Sequence, residues 1–534
     1  MNKLFAQLVE IRHLDEDFLH PKYEKLTNPL ILKDMDKAIA RIETAVKNHE
    51  KILVYGDYDV DGITASTVME AALKLAGATD VNIMLPDRFV DGYGMSPRLI
   101  TRAKETGVNL VITVDCGSKN HEIIDELKHL KIDTIVTDHH ECSNAPSEAI
   151  AVINPHREDY PTKELQNLAG VGVAFKIAEC LAQKKLIQKG QEKWLLDLVL
   201  LGTICDNMLL TNENRILGYY GVKVLNKTRR PGLRELMRTA GVKHITSESI
   251  GFQLGPRLNA AGRLETAELS LKLLRTDSGA EAATIAAKLE ELNKRRREEQ
   301  RLATEEIIKR HRTNDPVIIE TGHWHEGILG IVAGRLVESY QKPAFVLTEL
   351  DNGVYKGSGR SFGDFNLAAA LEYAKDVILS GGGHAGAAGV KLEQKNLYAF
   401  REKINEYYKS LHLENQAKYF KTRPDLTTSE LKDFSLDFLE ELKQLEPFGA
   451  GNEEPIICLE NPQILELKRM GNNGQHLRID LKGKDGKILK CVAFFASESW
   501  FNINYNDSYN FLVKPVENEW NGVRSIEARL VDIL

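Results

Sequence analysis

Residues 51–62, KILVYGDYDVDG, decide how the rest of the chain is read. The short run rich in Ile, Leu and Val has the length and β-branching of a buried strand. It stops at Gly56, and Asp57, Asp59 and Asp61 follow at once. Alternate residues of an extended segment share a face, so the spacing turns all three carboxylates toward one place. Three unpaired anions there repel one another unless a cation joins them, which makes a bound metal the simplest relief. The plain alternative, for this cluster taken alone, is a solvated acidic turn. A Ca²⁺ loop of the EF-hand kind also begins DxDxDG, but it needs a bidentate Glu at its twelfth position, and Val68 stands there.

Working outward, STVMEAALKLAG, VNIMLP, VNLVITVDCG and IDTIVTDHH alternate helix-like and strand-like patterns as far as Ile153. That alternation predicts βαβ units and a parallel sheet, whose ligands bind beyond the carboxyl ends of the strands. Asp115 follows VNLVITV, Asp138-His139-His140 follow IDTIVT, and Asp206 ends the apolar run LLDLVLLGTIC. Singly, such an Asp is ordinarily a cap and such a His a satisfied polar side chain. Together they place oxygen and imidazole donors at successive element ends, a set suited to Mn²⁺ or a similar cation rather than thiolate-bound zinc. Two metals bridged by a carboxylate can activate water and hold both oxygens of an in-line phosphoryl displacement.

The 534 residues call for about two to four domains. With 43% apolar and 28% charged residues, these are ordinary globular domains. A net charge of −7 excludes a surface that grips polyanions everywhere, so any nucleic-acid site is a local groove. Arg229-Arg230 and Arg295-Arg296-Arg297 read as solvated faces. Six scattered cysteines without a CxxC pair fit neither a disulfide framework nor a thiolate zinc site, and imply a reducing cytoplasm. Neither a signal peptide nor a membrane span is visible. Residues 278–312 read as one long polar helix connecting two domains. The α/β pattern restarts after Pro316, and from about Ala417 short strands separated by Gly, Asn and Asp turns predict a small OB-type β-barrel.

DYDVDG, DCG, DHH and Asp206 together resemble the motif set of the DHH phosphoesterase superfamily. GPRLNAAGRL (255–264), WHEGILGIVAGRL (324–336), KGSGRS (356–361), GGGHAGAAG (381–389) and PFGAGNEEP (447–455) resemble, in the same order, the RecJ family of single-strand-specific exonucleases. The resemblance implies that Asp57, Asp59, Asp61, His139 and Asp206 are metal ligands and that Asp115 bridges two metals. It implies that His140 contacts the scissile phosphate, so that His140, Asp115 and His139 form the catalytic group. Lys356, Ser358, Arg360 and Ser361, with Gly382, Gly383 and His384, resemble the substrate-binding half of a DHHA1 domain. There, successive glycines can form a backbone nest for phosphate, with Arg360 and His384 adding charge-assisted hydrogen bonds, although a plain turn fits the glycines equally well. Arg257, Asn259 and Arg263 are expected near the nucleic-acid path, the alternative being a structural turn that starts a helix. In the barrel, Arg469, His476, Arg478, Phe494, Phe495, Trp520 and Arg524 can supply a basic, stacking groove. Phe494 and Phe495 suit the barrel interior just as well.

The expected architecture is an α/β DHH domain with a parallel sheet (1–277), a connecting helix (278–312), a smaller α/β DHHA1 domain (313–416) and an OB-fold nucleic-acid-binding domain (417–534). The resemblance implies a 5′-to-3′ exonuclease on single-stranded DNA that releases 5′-mononucleotides in repair and recombination. It would use two divalent cations, Mn²⁺ before Mg²⁺. Single-stranded DNA is the expected partner, a single-strand-binding protein or a helicase the candidate protein partners, and a cytoplasmic monomer away from membranes the expected state. Two other readings remain: a DHH phosphodiesterase for short RNA or cyclic dinucleotides, which has no need of the barrel, and a non-catalytic DNA-binding replication module, which typically loses ligands that this chain keeps. Some RecJ proteins carry a further C-terminal domain, whereas this sequence stops at Leu534 directly after the barrel, so partner contacts made there are not assumed.

Overall fold

The computed structural model describes residues 1–311, 314–350, 353–413 and 422–534. Five parallel strands, β1 (Ile52–Tyr55), β2 (Val81–Met84), β3 (Leu110–Val114), β4 (Asp133–Thr137) and β5 (Ala151–Ile153), form one sheet in the order β2-β1-β3-β4-β5. Strands β1 and β3 are buried throughout, which is why they read as unbroken apolar runs. Ile52, Val54 and Ile112 face one core, and Leu53, Tyr55 and Val111 face the other. The helix Val60–Leu75 lies in the first of these cores against the helices Gly170–Gln183 and Leu196–Cys205.

The connecting helix runs from Gly279 to Arg310, and Ser278 caps its start. Arg295 pairs with Glu299 at 2.9 Å, as their spacing predicts, while Glu291 pairs with Lys288 instead of Arg295. Beyond it lie β6 (Ile318–Gly322), β7 (Ala344–Leu350), β8 (Val354–Arg360), β9 (Ser380–Gly383) and β10 (Ala387–Glu393), ordered β6-β7-β8-β10-β9. Only the β6–β7 pair is parallel. The expected boundaries at 312/313 and 416/417 lie outside the described residues.

The third sheet has seven strands rather than about five. These are β11 (Leu426–Thr428), β12 (Ile457–Glu460), β13 (Gln463–Met470), β14 (His476–Lys482), β15 (Ile488–Ala493), β16 (Asn510–Trp520) and β17 (Val523–Ile533), in the order β11-β12-β16-β17-β15-β14-β13. The run PIICLENPQILELKRM divides because Asn461 turns the chain with φ of 45°. The core of this domain also contains Leu4, Phe5, Leu8 and Leu19. The start of the chain, expected in the first domain, therefore packs in the third. Asn2 Nδ2 donates to Asp433 O, and Arg12 pairs with Asp425 at 2.8 Å. The first and third domains are joined by Arg215, whose buried guanidinium donates to the carbonyls of Phe18, Gln444 and Glu446. Among the described residues no helix is long and apolar enough to cross a membrane, and all six cysteines are free.

Candidate metal centre and its cleft

The three carboxylates of DYDVDG converge, but not along an extended segment. Asp57 follows β1, Asp59 caps the helix Val60–Leu75 by accepting from Gly62 N at 3.1 Å, and Asp61 lies in that helix's first turn. Gly62 permits this tight turn, since a Cβ there would sit 2.5 Å from Asp57 O. Asp61 in turn accepts from Gly170 N at 2.6 Å and Val171 N at 2.9 Å, at the start of a second helix. Gly170 is pressed from the other side as well, because a Cβ there would meet Asp115 Cβ at 2.5 Å. Asp115 itself holds a left-handed φ of 60°, a conformation that Asp tolerates better than most residues.

Ligand atoms fall into overlapping constellations, each within 4.8 Å. One joins Asp57, Asp59 and Asp115, another joins Asp61, His139 and Asp206, and a third joins Asp115, His139 and His140. Asp115 links them, with Oδ1 3.0 Å from His139 Nε2, and His139 Nε2 lies 3.7 Å from both Asp61 and Asp206. Asp206 arrives from a helix C-terminus rather than a strand. Burial, followed by mutual repulsion, holds Asp57, Asp61, Asp115 and Asp206 well above the usual carboxylate range. Asp57 Oδ1 and Asp115 Oδ1 are buried without a hydrogen bond. Buried carboxylates that crowd together and lack donors fit divalent cations, and the donor set contains no thiolate.

Asp138 does a different job from its neighbours. Its carboxylate accepts from the backbone N–H of Ser118, His139 and His140, and from His140 Nδ1 at 2.8 Å. Burial works against its charge, but the His140 hydrogen bond and charge win and keep it ionised. Burial likewise works against a protonated His140, and Asp138 overcomes it, raising His140 to about 9. Burial and His140 push His139 down to about 4, the neutral form a ligand needs. Tyr93 Oη lies 2.9 Å from His140 Nδ1, and Asn154 Nδ2 holds His140 O at 2.9 Å.

The second domain faces this edge across a cavity of about 390 Å³. Lys356, Ser358, Arg360, Gly382 and Gly383 line it on one side, and Tyr58, Arg88, Phe89 and Tyr93 on the other. Arg88 lies over the Tyr58 ring at 4.8 Å, and Phe89 meets His325 edge-on at 5.5 Å. Arg263, drawn down to about 9 by burial and by Arg88, Arg296 and Arg360, has no carboxylate partner among the described residues. Unpaired guanidinium groups crowded together mark a place for an anion.

Not every expected residue is there. The glycines form edge strand β9, paired with β10, instead of a nest, and His384 is exposed with its N–H donated to Ala387 O. Ser361 Oγ is spent on Phe365 O, Lys356 pairs with Glu326, and Arg257 pairs with Glu290 of the connecting helix at 2.6 Å. Asn259 and Arg263 line a separate groove beside Asn207. On the third domain Arg469, Arg478 and Arg524 pair with Glu498, Asp480 and Glu517. Phe494 and Phe495 do not fill the interior but stand 65% and 79% exposed against His476, and Trp520 is 74% exposed.

Three family models match in order: the DHH family N-terminal domain over residues 51–203, the DHHA1 domain over 314–410 and the RecJ OB domain over 427–532. Fold and site thus define a DHH protein with a DHHA1 domain. The single-stranded-DNA-specific exonuclease RecJ of Bacillus subtilis is 34% identical over 524 residues, covering 96% of this chain and 65% of its own length. That of Salmonella typhimurium is 31% identical, covering 94% of this chain and 90% of its own. The crystal structure of RecJ in complex with Mn²⁺ from Thermus thermophilus superimposes with a TM-score of 0.84 at 28% identity, covering all of this chain and 76% of that one. The chain belongs to the RecJ family.

Proposed function

We propose that the protein is a metal-dependent exonuclease that removes nucleotides from the 5′ end of single-stranded DNA. The observation that carries this is the set of three overlapping ligand constellations, joined through Asp115 and His139, beside a cavity lined by Arg88 and Arg360. Asp57 and Asp59 would hold one divalent cation and Asp61, His139 and Asp206 the other, with Asp115 within reach of both. When bound, two such ions, Mn²⁺ or Mg²⁺, would supply a nucleophilic water and neutralise charge on the phosphate. Relatives whose solved structures are described as complexes with Mn²⁺ and with Mg²⁺ support that choice.

His140, held by Asp138, donates a charge-assisted hydrogen bond to the scissile phosphate as charge develops there. Arg88, Ser358 and Arg360 hold a terminal phosphate in the cavity, which restricts cleavage to an end. Polarity and the DNA sugar follow the relatives' described single-strand-specific activity and the family resemblance. The same resemblance supports a cytoplasmic monomer acting in repair and recombination beside a helicase or a single-strand-binding protein. Digestion of 5′- and 3′-labelled single strands of DNA and RNA with Mn²⁺, Mg²⁺ or a chelator tests the reading. Release of 5′-labelled mononucleotides from DNA with either ion is expected. Chelator-resistant cleavage, or cleavage only from the 3′ end, refutes it.

A further inference from the structure

An opening near the metal centre has no place in the chemistry above. It is a groove of about 680 Å³ where the catalytic domain, the connecting helix and the third domain meet. Asn207, the residue after Asp206, is part of its lining, which places the groove close to the candidate metal centre. Lys514 and Arg529 of the third domain line the far wall, already paired with Glu454 at 3.1 and 2.9 Å.

Two side chains in it stand out. The residues before GPRLNAAGRL form a π-helical turn, Ile250–Leu254, in which Gly255 N donates to Ile250 O. Such turns are rare and concentrate at functional sites. This one carries Phe252 into the groove with 80% of the residue exposed, a large apolar ring that folding leaves almost wholly in water. From the connecting helix comes Arg296, read from sequence as part of a solvated basic face. Its Nε is buried without a hydrogen-bond partner, and among the described residues its one side-chain hydrogen bond goes to Asn293 Oδ1 at 2.9 Å. Burial and the neighbouring Arg297 and Arg335 work against its charge, and no carboxylate lies within ion-pair reach among the described residues. An exposed ring beside a cation without a counter-ion is the chemistry of a nucleobase stacked next to its phosphate.

We infer that Phe252 and Arg296 form a clamp on the single strand beyond the scissile bond, on the side away from the Arg88–Arg360 cavity, with Phe252 stacking on a base and Arg296 holding a phosphate. The clamp rests on the exonuclease reading and adds to it a length preference. A strand long enough to enter the groove gains both contacts, and a dinucleotide gains neither.

The test uses the full chain with Mn²⁺ and a series of DNA strands of two, four, eight and sixteen nucleotides. In the wild type, KM falls with length until the groove is filled. Phe252→Ala raises KM for the sixteen-nucleotide strand roughly tenfold, within the range of one lost stacking contact, with kcat nearly unchanged. Phe252→Trp restores the wild-type KM, whereas Phe252→Leu, apolar but not aromatic, does not. Arg296→Ala also raises KM and lowers the slope of log affinity against log salt by about 0.7, the share of one phosphate contact on a single strand. Because the Phe252 ring is exposed, these changes leave folding intact, checked by an unchanged thermal midpoint. A KM that does not fall with length in the wild type, or a Phe252→Ala enzyme with wild-type KM on the long strand, overturns the clamp and leaves the exonuclease reading standing. A wild-type protein that cleaves no strand of any length defeats the exonuclease reading itself.

Discussion

At the carboxyl edge of the first sheet, ionisable groups are buried, crowded and short of partners, whereas on the third domain the candidate binding arginines are at the surface and already paired. Asp57, Asp61 and Asp115 lie almost wholly out of water, with two carboxylate oxygens unsatisfied. Arg469, Arg478 and Arg524 instead form surface ion pairs. Burying like charges together is costly enough that the arrangement points to a ligand that resolves it. An exposed pair is worth little and exchanges readily for a phosphate, so it carries little information about function.

Asp115→Ala should break the comparison at its strongest point. Loss of the shared ligand is expected to lower kcat/KM by about 10³-fold or more, and calorimetry should show weaker or fewer Mn²⁺ ions bound to a folded protein. Gly170→Ala comes next, with a loss on the order of 10²-fold, because the new methyl group displaces the Asp115 carboxylate. Normal Mn²⁺ affinity in that variant would show that the edge is softer than its packing indicates. Asp138→Asn, which loosens His140 without removing a ligand, is expected to reduce kcat by roughly tenfold while Mn²⁺ binding persists.

The crowding also has a thermodynamic signature. In the metal-free protein, Asp57 is raised to about 8 and Asp206 to about 7, by burial and then by Asp59. Between pH 6.5 and 8.5 the folded state thus holds protons that the unfolded chain has released, so stability falls as pH rises. His140, at about 9, acts in the same direction, and His139, at about 4, is neutral in both states over most of this range. The thermal midpoint of chelated protein should drop across this interval, and saturating Mn²⁺ should remove or reverse the drop. Arg524→Ala on the third domain is expected to have the smallest effect, less than about threefold on single-strand affinity. A larger loss would show that its pairing with Glu517 opens to take up a phosphate.

The convergence of the candidate ligands was largely legible because Asp57, Asp115 and His139 each follow an apolar run whose burial the sequence announces. Asp206 was found by the same logic although its run is a helix. The local conformation of Asp59 and Asp61 was not legible, since alternation alone does not reveal that Gly62 lets a helix begin there. Arg88, Phe89 and Tyr93 were missed because they lie on a loop without periodicity, and Gly170 because its role is defined by neighbours distant in sequence. The role of Asp138 was hidden by its place among candidate ligands, as only geometry shows that its carboxylate is spent on His140 and backbone N–H groups. The amphipathic pattern of residues 3–11 shows that one face is buried, but not against which domain.

The placement of that first helix sets an order on synthesis. Leu4, Phe5 and Leu8 leave the ribosome long before the strands that share their core. At about 5–20 residues per second, the roughly 400 residues between Leu8 and Leu426 take about 20–80 s to make. For that interval a sticky amphipathic segment waits in solution while the catalytic sheet folds beside it, exposed to chaperones and to wrong partners alike. The third domain can complete its core only by recovering residues made some time earlier.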